Sequence, residues 1–326
     1  MRQFQNNDMK IENKIDSIKE WAKNYFIRLN TGTRPKARPP EFDPDKLPGY
    51  QARDRIAVNV VLFIITVITT TFAGATGGDT LAEQFVSGLP YSVTLIVILL
   101  CHEFGHYGAA RKFGVKATLP YFIPFPSIIG TMGAVIKTRS PIPSRRALFY
   151  VGAMGPLLGF MVSLAAVIAG IYLSEIKPLP TGGGDLLMPI FGDSLLFALF
   201  VKAIHGTIPP GHDIYLSPYA WAGWIGFLIT SLNLMPIGQL DGSHILYALI
   251  GRKQVAAGWL SLSALVVLSF IWQGWIVWIL LTLMVLMVAH PEVPEGEDLS
   301  AAEKAVGWLC MAILLVTFVP VPVDFL

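Results

Sequence analysis

Charged residues are scarce in this sequence, and cysteine is almost absent. Only 14% of its 326 residues are Asp, Glu, Lys or Arg, and the formal net charge is +2. Such a small net charge argues against nucleic acid as a partner, because binding to a phosphate backbone relies on an excess of basic side chains. Two cysteines, Cys101 and Cys310, are too few for a disulfide framework. The N-terminus lacks an early apolar run, so we expect no cleavable signal peptide.

Apolar residues are abundant instead. Hydrophobic types make up 53% of the chain, and the mean hydropathy is +0.57. Several stretches approach the ~20 apolar residues that a helix needs to cross ~30 Å of hydrocarbon, namely 56–74, 91–110, 146–173, 217–236, 254–272, 274–290 and 305–319. The sequence therefore predicts an all-α polytopic membrane protein with about six to seven transmembrane helices in a lipid bilayer.

Two further apolar segments are interrupted by residues that break helices. Residues 119–136 contain three prolines and two glycines, and residues 186–204 contain Pro189, Gly192 and Asp193. Irregular backbone at membrane depth is tolerated where protein or a cavity surrounds it. We therefore predict that both segments are re-entrant or interfacial, the first as a re-entrant β-like hairpin.

The first 55 residues differ in composition from the rest. They are polar and carry 12 of the 24 lysines and arginines. Apolar residues at helical spacing, including Ile11, Ile15 and Ile18, predict an amphipathic helix over about 9–30, followed by a proline-rich linker. The helix could lie on the membrane surface or a partner, or pack as a solvated helix on its own protein. We divide the chain into a cytoplasmic segment, 1–55, and a transmembrane domain, 56–326.

Lysine and arginine are distributed unevenly between the two sides of the predicted membrane. With the N-terminus in the cytoplasm, 22 of the 24 fall on the inner side, and only Lys177 and Lys202 fall on the outer side. Cytoplasmic loops carry an excess of this kind. The orientation places residues 102–106 and 233–244 toward the cytoplasm. The membrane could be bacterial, archaeal or organellar, and of these we expect a prokaryotic inner membrane.

The apolar span that ends near Arg111 contains the sequence HEFGH at residues 102–106. His102 and His106 share one helix face, so both imidazoles can bind one metal ion, with Glu103 beside them as general base. At ~1.5 Å per residue, His102 lies ~14 Å and His106 ~7 Å along the helix from Arg111. A zinc ion makes these polar groups tolerable inside the hydrocarbon, because it binds the imidazoles as ligands.

A catalytic zinc site takes three protein ligands and keeps one position open. The sequence NLMPIGQLDGSHILYAL, residues 233–249, offers the third ligand, because a proline and a glycine interrupt the helix and Asp241 follows. Asn233 could donate its amide to a developing oxyanion. Asp241 also suits the N-cap of a helix over 242–250. His244 suits either support of the ligands or plain packing.

The other histidines are weaker candidates. His205 and His212 fall on the predicted outer side, and His290 begins a polar loop after a span. No glutamate occurs between Glu175 and Glu292. This argues against membrane-anchored metalloproteases that take a downstream glutamate as the third ligand.

HEFGH in one span and NLMPIGQLDG in a later span on the same side together resemble the site-2 protease family of intramembrane zinc metalloproteases. The later stretch matches the family pattern Asn-x-x-Pro-x-x-x-Leu-Asp-Gly. The resemblance covers roughly residues 90–250, which would form the catalytic core, and no segment looks like the PDZ-type insert of some members. It implies one Zn²⁺ ion held by His102, His106 and Asp241. It also implies that Glu103 activates the water and that Asn233 helps to hold the reacting carbonyl.

The activity implied by this resemblance is hydrolysis of peptide bonds within or next to transmembrane segments. Its substrates would be single-pass or multi-pass membrane proteins. Related proteases have a membrane-associated β-hairpin where residues 119–138 lie here. We expect that this stretch offers an unpaired strand edge to the substrate. A plain re-entrant loop is the alternative.

Two functions without peptidase activity would use the same residues. One is a membrane-embedded metal-binding protein or transporter. Transporters spread polar groups across the whole bilayer, whereas the ionisable residues here cluster on one side. The other is a pseudoprotease that only binds membrane proteins, which would have no need of Glu103.

Overall fold

The structure is a computed structural model that describes residues 56–179, 189–286 and 298–325. The predicted amphipathic helix over 9–30 and its linker lie outside these residues, and so does His290. The division of the chain at residue 55 therefore stays a prediction.

Helices make up most of the described residues. They are α1 (Ile56–Ala73), α2 (Leu81–Lys112), α3 (Arg145–Tyr172), α4 (Leu195–His205), α5 (Pro218–Asn233), α6 (Asp241–Ile250), α7 (Gln254–Ser269), α8 (Trp275–Leu286) and α9 (Ala301–Thr317), with a short 3₁₀ helix at Gly251–Lys253. The strands are β1 (Tyr121–Pro124), β2 (Thr131–Val135), β3 (Glu175–Pro178), β4 (Pro189–Phe191), β5 (His212–Tyr215) and β6 (Val323–Phe325). The mostly helical architecture agrees with the sequence prediction.

Three of the described helices are long and apolar enough to cross a membrane. These are α1, α2 and α3, with 18, 32 and 28 residues. The predicted spans 217–236, 254–272 and 305–319 correspond to α5, α7 and α9, which have 16, 16 and 17 residues. A helix of 16 residues is ~24 Å long, which is less than the ~30 Å of a hydrocarbon slab. The spans beyond the first three therefore stay predictions.

Helix α2 is longer than the apolar span that predicted it. It begins after Thr80, whose side chain forms a capping box with Glu83, and it continues through Pro90. A proline inside a helix removes one backbone hydrogen bond. The Thr94 hydroxyl donates to the carbonyl of Pro90 at 2.7 Å. Hydropathy identified only the apolar part of this helix, because its first turns are more polar.

Residues 119–136 contain a β-hairpin. Strand β1 pairs antiparallel with β2, with Phe122 opposite Ala134. Gly130 and Gly133 have φ angles of +84° and +99°, a region of backbone conformation that favours glycine. Within the described parts of the chain, β2 has no strand on its other edge.

Two small antiparallel pairs lie elsewhere in the described residues. Strand β3 pairs with β5, and β4 pairs with β6 near the C-terminus. These strands were not predicted from the sequence. Strands of three or four residues are too short to show the alternation of apolar and polar side chains that indicates a strand.

The core lies where α2, α3 and α5 pack together. It contains large side chains that are fully buried, among them Tyr91, Trp224 and Phe227. A Cβ atom on Gly170 of α3 would overlap the backbone of Ala220 in α5. Small residues of this kind let helices approach closely. This packing brings the end of α5 beside the last third of α2, where the HEFGH sequence lies.

Candidate metal centre

Helices α2 and α6 bring three ligand atoms to one point. The Nε2 atoms of His102 and His106 lie 3.0 Å apart. The Oδ2 atom of Asp241 lies 3.4 Å from Nε2 of His102 and 3.3 Å from Nε2 of His106. Both histidines are buried, and Asp241 is partly buried. Groups of three or more His, Cys, Asp or Glu side chains can hold a metal ion. Among the described residues, these three form the only such group.

The three distances suit a tetrahedral zinc ion. Zinc bonds of ~2.0–2.1 Å at tetrahedral angles separate neighbouring ligand atoms by ~3.3 Å. Two imidazoles and one carboxylate also form a donor set typical of catalytic zinc, which leaves a fourth position open. The residues present therefore fit Zn²⁺.

Helix α3 orients the His106 ring, although it contributes no ligand. The Nδ1 atom of His106 lies 2.6 Å from the carbonyl oxygen of Val151. A carbonyl oxygen can only accept a hydrogen bond, so Nδ1 carries the proton. The lone pair of Nε2 then faces Asp241, which is the arrangement that a metal ligand needs.

Glycines of α3 make room for both imidazoles. A Cβ atom on Gly155 would overlap the ring of His106, and one on Gly159 would lie 3.1 Å from Nδ1 of His102. Side chains at these two positions would therefore displace the rings from their places beside Asp241. The only sequence signal was the cluster of small residues at 152–159, which by itself indicates helix packing.

The third ligand atom stands on an interrupted helix. Helix α5 ends at Asn233 and α6 begins at Asp241. Side chains satisfy the unwound backbone between them, because Ser243 Oγ donates to the carbonyl of Gly238 at 2.7 Å and Gln254 Nε2 donates to that of Pro236 at 2.9 Å. The N-cap of α6 is Leu240, so Asp241 is the first residue of the helix and not its N-cap.

Arg145, at the start of α3, attaches to the other end of α6. Its Nε donates to the carbonyl of Ala248 at 2.7 Å, and its Nη2 donates to that of Leu249 at 3.2 Å. A cation at the C-terminus of a helix is favourable, because the unpaired carbonyls there carry partial negative charge. Helix α3 therefore contacts both the histidines and the helix that carries Asp241.

Glu103 and Asn233 lie beside the three ligands. Glu103 is buried, and its Oε2 atom has no hydrogen-bond partner. A buried carboxylate oxygen without a partner is costly unless a ligand or water approaches it. The Nδ2 atom of Asn233 lies 3.3 Å from Nε2 of His102. The position of Asn233 at the end of α5 thus brings its amide to the edge of the metal centre.

A cavity of about 220 Å³ opens onto Glu103 and Asn233. Strand β2 lines it through residues 132–135, and α7 and α8 line it through Leu265 and Trp278. Apart from His102, Glu103, Asn233 and Thr282, the side chains of the cavity wall are apolar. The lining residues of α7 and α8 could not be predicted from the sequence, since an apolar residue in an apolar span gives no indication of the face on which it lies.

Within the part of the chain that the structure describes, the remaining candidate histidines do not join the ligand group. His205 Nε2 bonds to the carbonyl of Ile171 at 2.8 Å, and His212 Nδ1 bonds to that of Pro210 at 3.3 Å. His244 packs against α3, where a Cβ atom on Gly152 would lie 2.9 Å from its Cβ.

Residues 90–272 match the family described as Peptidase family M50. The chain is 28% identical over 253 residues to "Probable zinc metalloprotease EGY2, chloroplastic" of Arabidopsis thaliana. The aligned residues make up 74% of this chain and 44% of that protein. It is 34% identical over 170 residues to "Probable zinc metalloprotease EGY1, chloroplastic" of Oryza sativa subsp. japonica. Here the aligned residues make up 51% of this chain and 29% of that protein. The chain thus spans less than half the length of these relatives. No solved structure matches it.

The names of these relatives assign them to chloroplasts. They give no support to the prokaryotic inner membrane that we expected from the sequence. A membrane-embedded chain agrees with the three long apolar helices and with the family match.

Proposed function

This chain belongs to peptidase family M50, and we propose on that premise that it is an intramembrane zinc metalloprotease. It would hydrolyse peptide bonds within or next to transmembrane segments of other proteins. The observation that carries the proposal is that His102, His106 and Asp241 meet beside a carboxylate, Glu103, with an unpartnered buried oxygen. A protein that only bound or transported metal would have no use for that oxygen.

Each side chain of the site would have its own role in the hydrolysis. His102, His106 and Asp241 hold the zinc ion, which when bound polarises a carbonyl and lowers the pKa of water. Glu103 takes a proton from the attacking water and later gives one to the leaving amine. Asn233 donates its amide N–H to the carbonyl oxygen as negative charge develops there.

The substrate would reach the site as an extended segment. The carbonyls of a helical substrate are bonded along the helix, so the helix has to unwind before it can be cut. We propose that the unwound segment pairs with the open edge of β2, which lines the same cavity as Glu103. The N–H of Gly133 already donates to Thr131 Oγ1 at 3.0 Å, and no atom lies within 4 Å of its Cβ position. Gly133 would therefore leave space for the substrate segment, while the neighbouring residues of β2 pair with it.

The cavity wall supports membrane proteins, single-pass or multi-pass, as the substrates. Most of its side chains are apolar, including Leu232, Leu265 and Trp278. An apolar wall favours apolar side chains near the scissile bond, because a polar side chain there would lose hydrogen bonds to water without replacing them. Transmembrane segments supply apolar side chains at nearly every position.

We also propose how many helices cross the membrane and to which side the active site opens. Helices α5, α7, α8 and α9 would add spans to α1, α2 and α3 and bring the total to about six to seven. The hairpin at 119–136 would re-enter the membrane from the side with excess lysine and arginine. The active site would open to that side, which is the cytoplasm if the membrane is a prokaryotic inner membrane.

Metal analysis combined with a cleavage assay tests the proposal. We expect the purified wild type to contain one zinc ion per chain and to cut a single-pass transmembrane substrate. Asp241→Ala should lose both the zinc and the activity, whereas Glu103→Gln should lose only the activity. Zinc binding by a wild type that cuts no transmembrane substrate would favour the metal-binding alternative.

A further inference from the structure

The β-hairpin is attached to α1 at both of its ends. Before β1, Asn59 Nδ2 donates to the carbonyls of Leu119 at 3.2 Å and Pro120 at 2.8 Å. At the turn, Thr69 Oγ1 donates to the carbonyl of Gly130 at 2.7 Å. The two attachments lie ten residues apart on α1, a distance of ~15 Å along the helix.

A third attachment comes from α2. The hydroxyl of Tyr91, a fully buried residue, donates to the carbonyl of Ile129 at 2.8 Å. Glu103 lies on the same helix, twelve residues or ~18 Å further along. The hairpin therefore runs beside α2 from Tyr91, which bonds to its turn, to Glu103, which shares a cavity with Ala134 and Val135 of β2.

Close packing accompanies these hydrogen bonds. A Cβ atom on Gly130 would lie 2.5 Å from the Cα of Thr70, so the turn lies directly on α1. The rings of Phe63 and Phe122 meet edge to face, with centroids 5.1 Å apart. These contacts hold the hairpin against α1 along its length.

Asn59 is the least expected member of this set. It is 7% exposed in a helix whose only other polar residues are threonines, and its Oδ1 atom has no hydrogen-bond partner. Leucine at this position would avoid the cost of burying an amide. The two hydrogen bonds from Asn59 to backbone carbonyls offset this cost. Because they hold the segment before β1 in place, they explain why an asparagine stands at this position.

We propose that Asn59, Thr69 and Tyr91 are positioning residues that hold the edge of β2 at a set distance from Glu103. They would thereby decide which peptide bond of a paired substrate is cut. This inference rests on the proposed function. A strand that pairs with β2 takes its register from β2, and a shift of one residue moves each bond by ~3.3 Å and turns every side chain to the other face. A hairpin free to tilt or slide would present several neighbouring bonds to Glu103.

Near-isosteric variants remove these hydrogen bonds with little change in packing. Asn59→Leu, Thr69→Val and Tyr91→Phe are made singly and together. Thr71→Val and Thr94→Val are the matched controls, because these hydroxyls donate only to carbonyls of their own helices, those of Val67 and Pro90. Cleavage positions in a transmembrane substrate are read by mass spectrometry, and KM, kcat and zinc content are measured for each protein.

We expect the combined variant to cut several neighbouring bonds, with the zinc content of the wild type. KM should rise by about two- to twelve-fold for each hydrogen bond removed. Both controls should cut at the wild-type position. If the combined variant does not fold, Tyr91→Phe alone carries the test, since it removes one hydroxyl group.

Hydrogen exchange adds a readout that does not depend on activity. In the Glu103→Gln background, backbone amides of residues 129–136 should exchange faster in the combined variant and at the unchanged rate in the controls. If the combined variant cuts at the wild-type position, with the KM and the exchange rate unchanged, this inference is wrong and the proposed function still stands. A wild type that cuts no transmembrane substrate would overturn the proposed function and this inference with it.

Discussion

Gly155 of α3 lies against the imidazole of His106 so closely that a methyl group on Gly155 would overlap the ring. The same ring bonds through Nδ1 to the carbonyl of Val151, and its Nε2 lies 3.3 Å from Oδ2 of Asp241. The ring therefore has no room to shift toward α3, and it contacts Val151 and Asp241 at the same time. Helix α3 is therefore part of the candidate metal centre, although it supplies none of the three candidate ligands.

Gly155→Ala should lower the zinc content of the purified protein. The added methyl group displaces the His106 ring and weakens its hydrogen bond to Val151, and loss of such a supporting contact typically costs about 10- to 100-fold in metal affinity. The measurement is zinc per chain by elemental analysis, followed by a chelator competition. Gly108→Ala is the control, since no atom lies within 4 Å of that Cβ position on α2. Equal zinc affinity in the two variants would contradict the role given to Gly155.

Asp241→Ala should lower zinc affinity by more than the ~100-fold that loss of a supporting residue can cost, because it removes a ligand. Activity on a transmembrane substrate should disappear with the metal. Asp298→Ala is the control, because that side chain is 83% exposed and lies 3.5 Å from Arg145, away from the ligands. Zinc bound at wild-type affinity by Asp241→Ala would remove this aspartate from the ligand set.

Glu103→Gln should keep the zinc and lower kcat by about 10²- to 10⁴-fold, the usual contribution of general acid–base catalysis. The amide has the shape of the carboxylate but cannot accept the proton from water. Zinc content and single-turnover cleavage are measured on the same preparation. Glu175→Gln, on the exposed strand β3, controls for loss of a carboxylate. Undiminished turnover in Glu103→Gln would exclude Glu103 from the chemistry.

Gly133→Asp should raise KM and lower cleavage while the zinc content stays that of the wild type. The new side chain would occupy the cavity beside β2 and bring a charge to an apolar wall. Gly206→Asp is the matched control. Both glycines have positive φ angles, +99° and +76°, and neither has an atom within 4 Å of its Cβ position, but only Gly133 lines the cavity. Equal loss of activity in both variants would indicate backbone strain and not a blocked substrate site.

Glu303 should make stability depend on pH at the start of α9. Hydrogen bonds from the backbone N–H and side chain of Ser300, together with Arg146, lower the pKa of Glu303 to about 2. A group whose pKa is lower in the folded state stabilises the fold above its unfolded pKa, ~4.3, and this contribution is lost as the pH falls toward the folded pKa. The difference in thermal midpoint between wild type and Glu303→Gln should therefore be largest above pH ~5 and shrink below pH ~4. Asp79→Asn, in an exposed loop, is the control, and a difference that grew on acidification would contradict the assignment.

The sequence by itself determined the local parts of the site. The four-residue spacing of His102 and His106 places both on one face of any helix, and the apolar stretch 146–173 predicted α3 to within a residue at each end. The proline and glycine after Asn233 predicted the break that α5 and α6 show. These features follow from backbone geometry and hydropathy within a short window, so neighbouring residues are enough to decide them. The pairing of HEFGH with NLMPIGQLDG came from the resemblance to a family.

Only the tertiary structure decided which distant groups touch. It brings Asp241 within 3.4 Å of His102, holds the His106 ring on Val151, and attaches the hairpin to Asn59. It also selects Trp278 and Thr282 for the cavity wall. Such contacts join residues that are 45 or more positions apart in the chain. Neither the 3.6-residue helical period nor hydropathy predicts which apolar face of one helix packs on which face of another. For that reason the candidate ligands could be named from the sequence and the family resemblance, whereas the contacts that orient them could not.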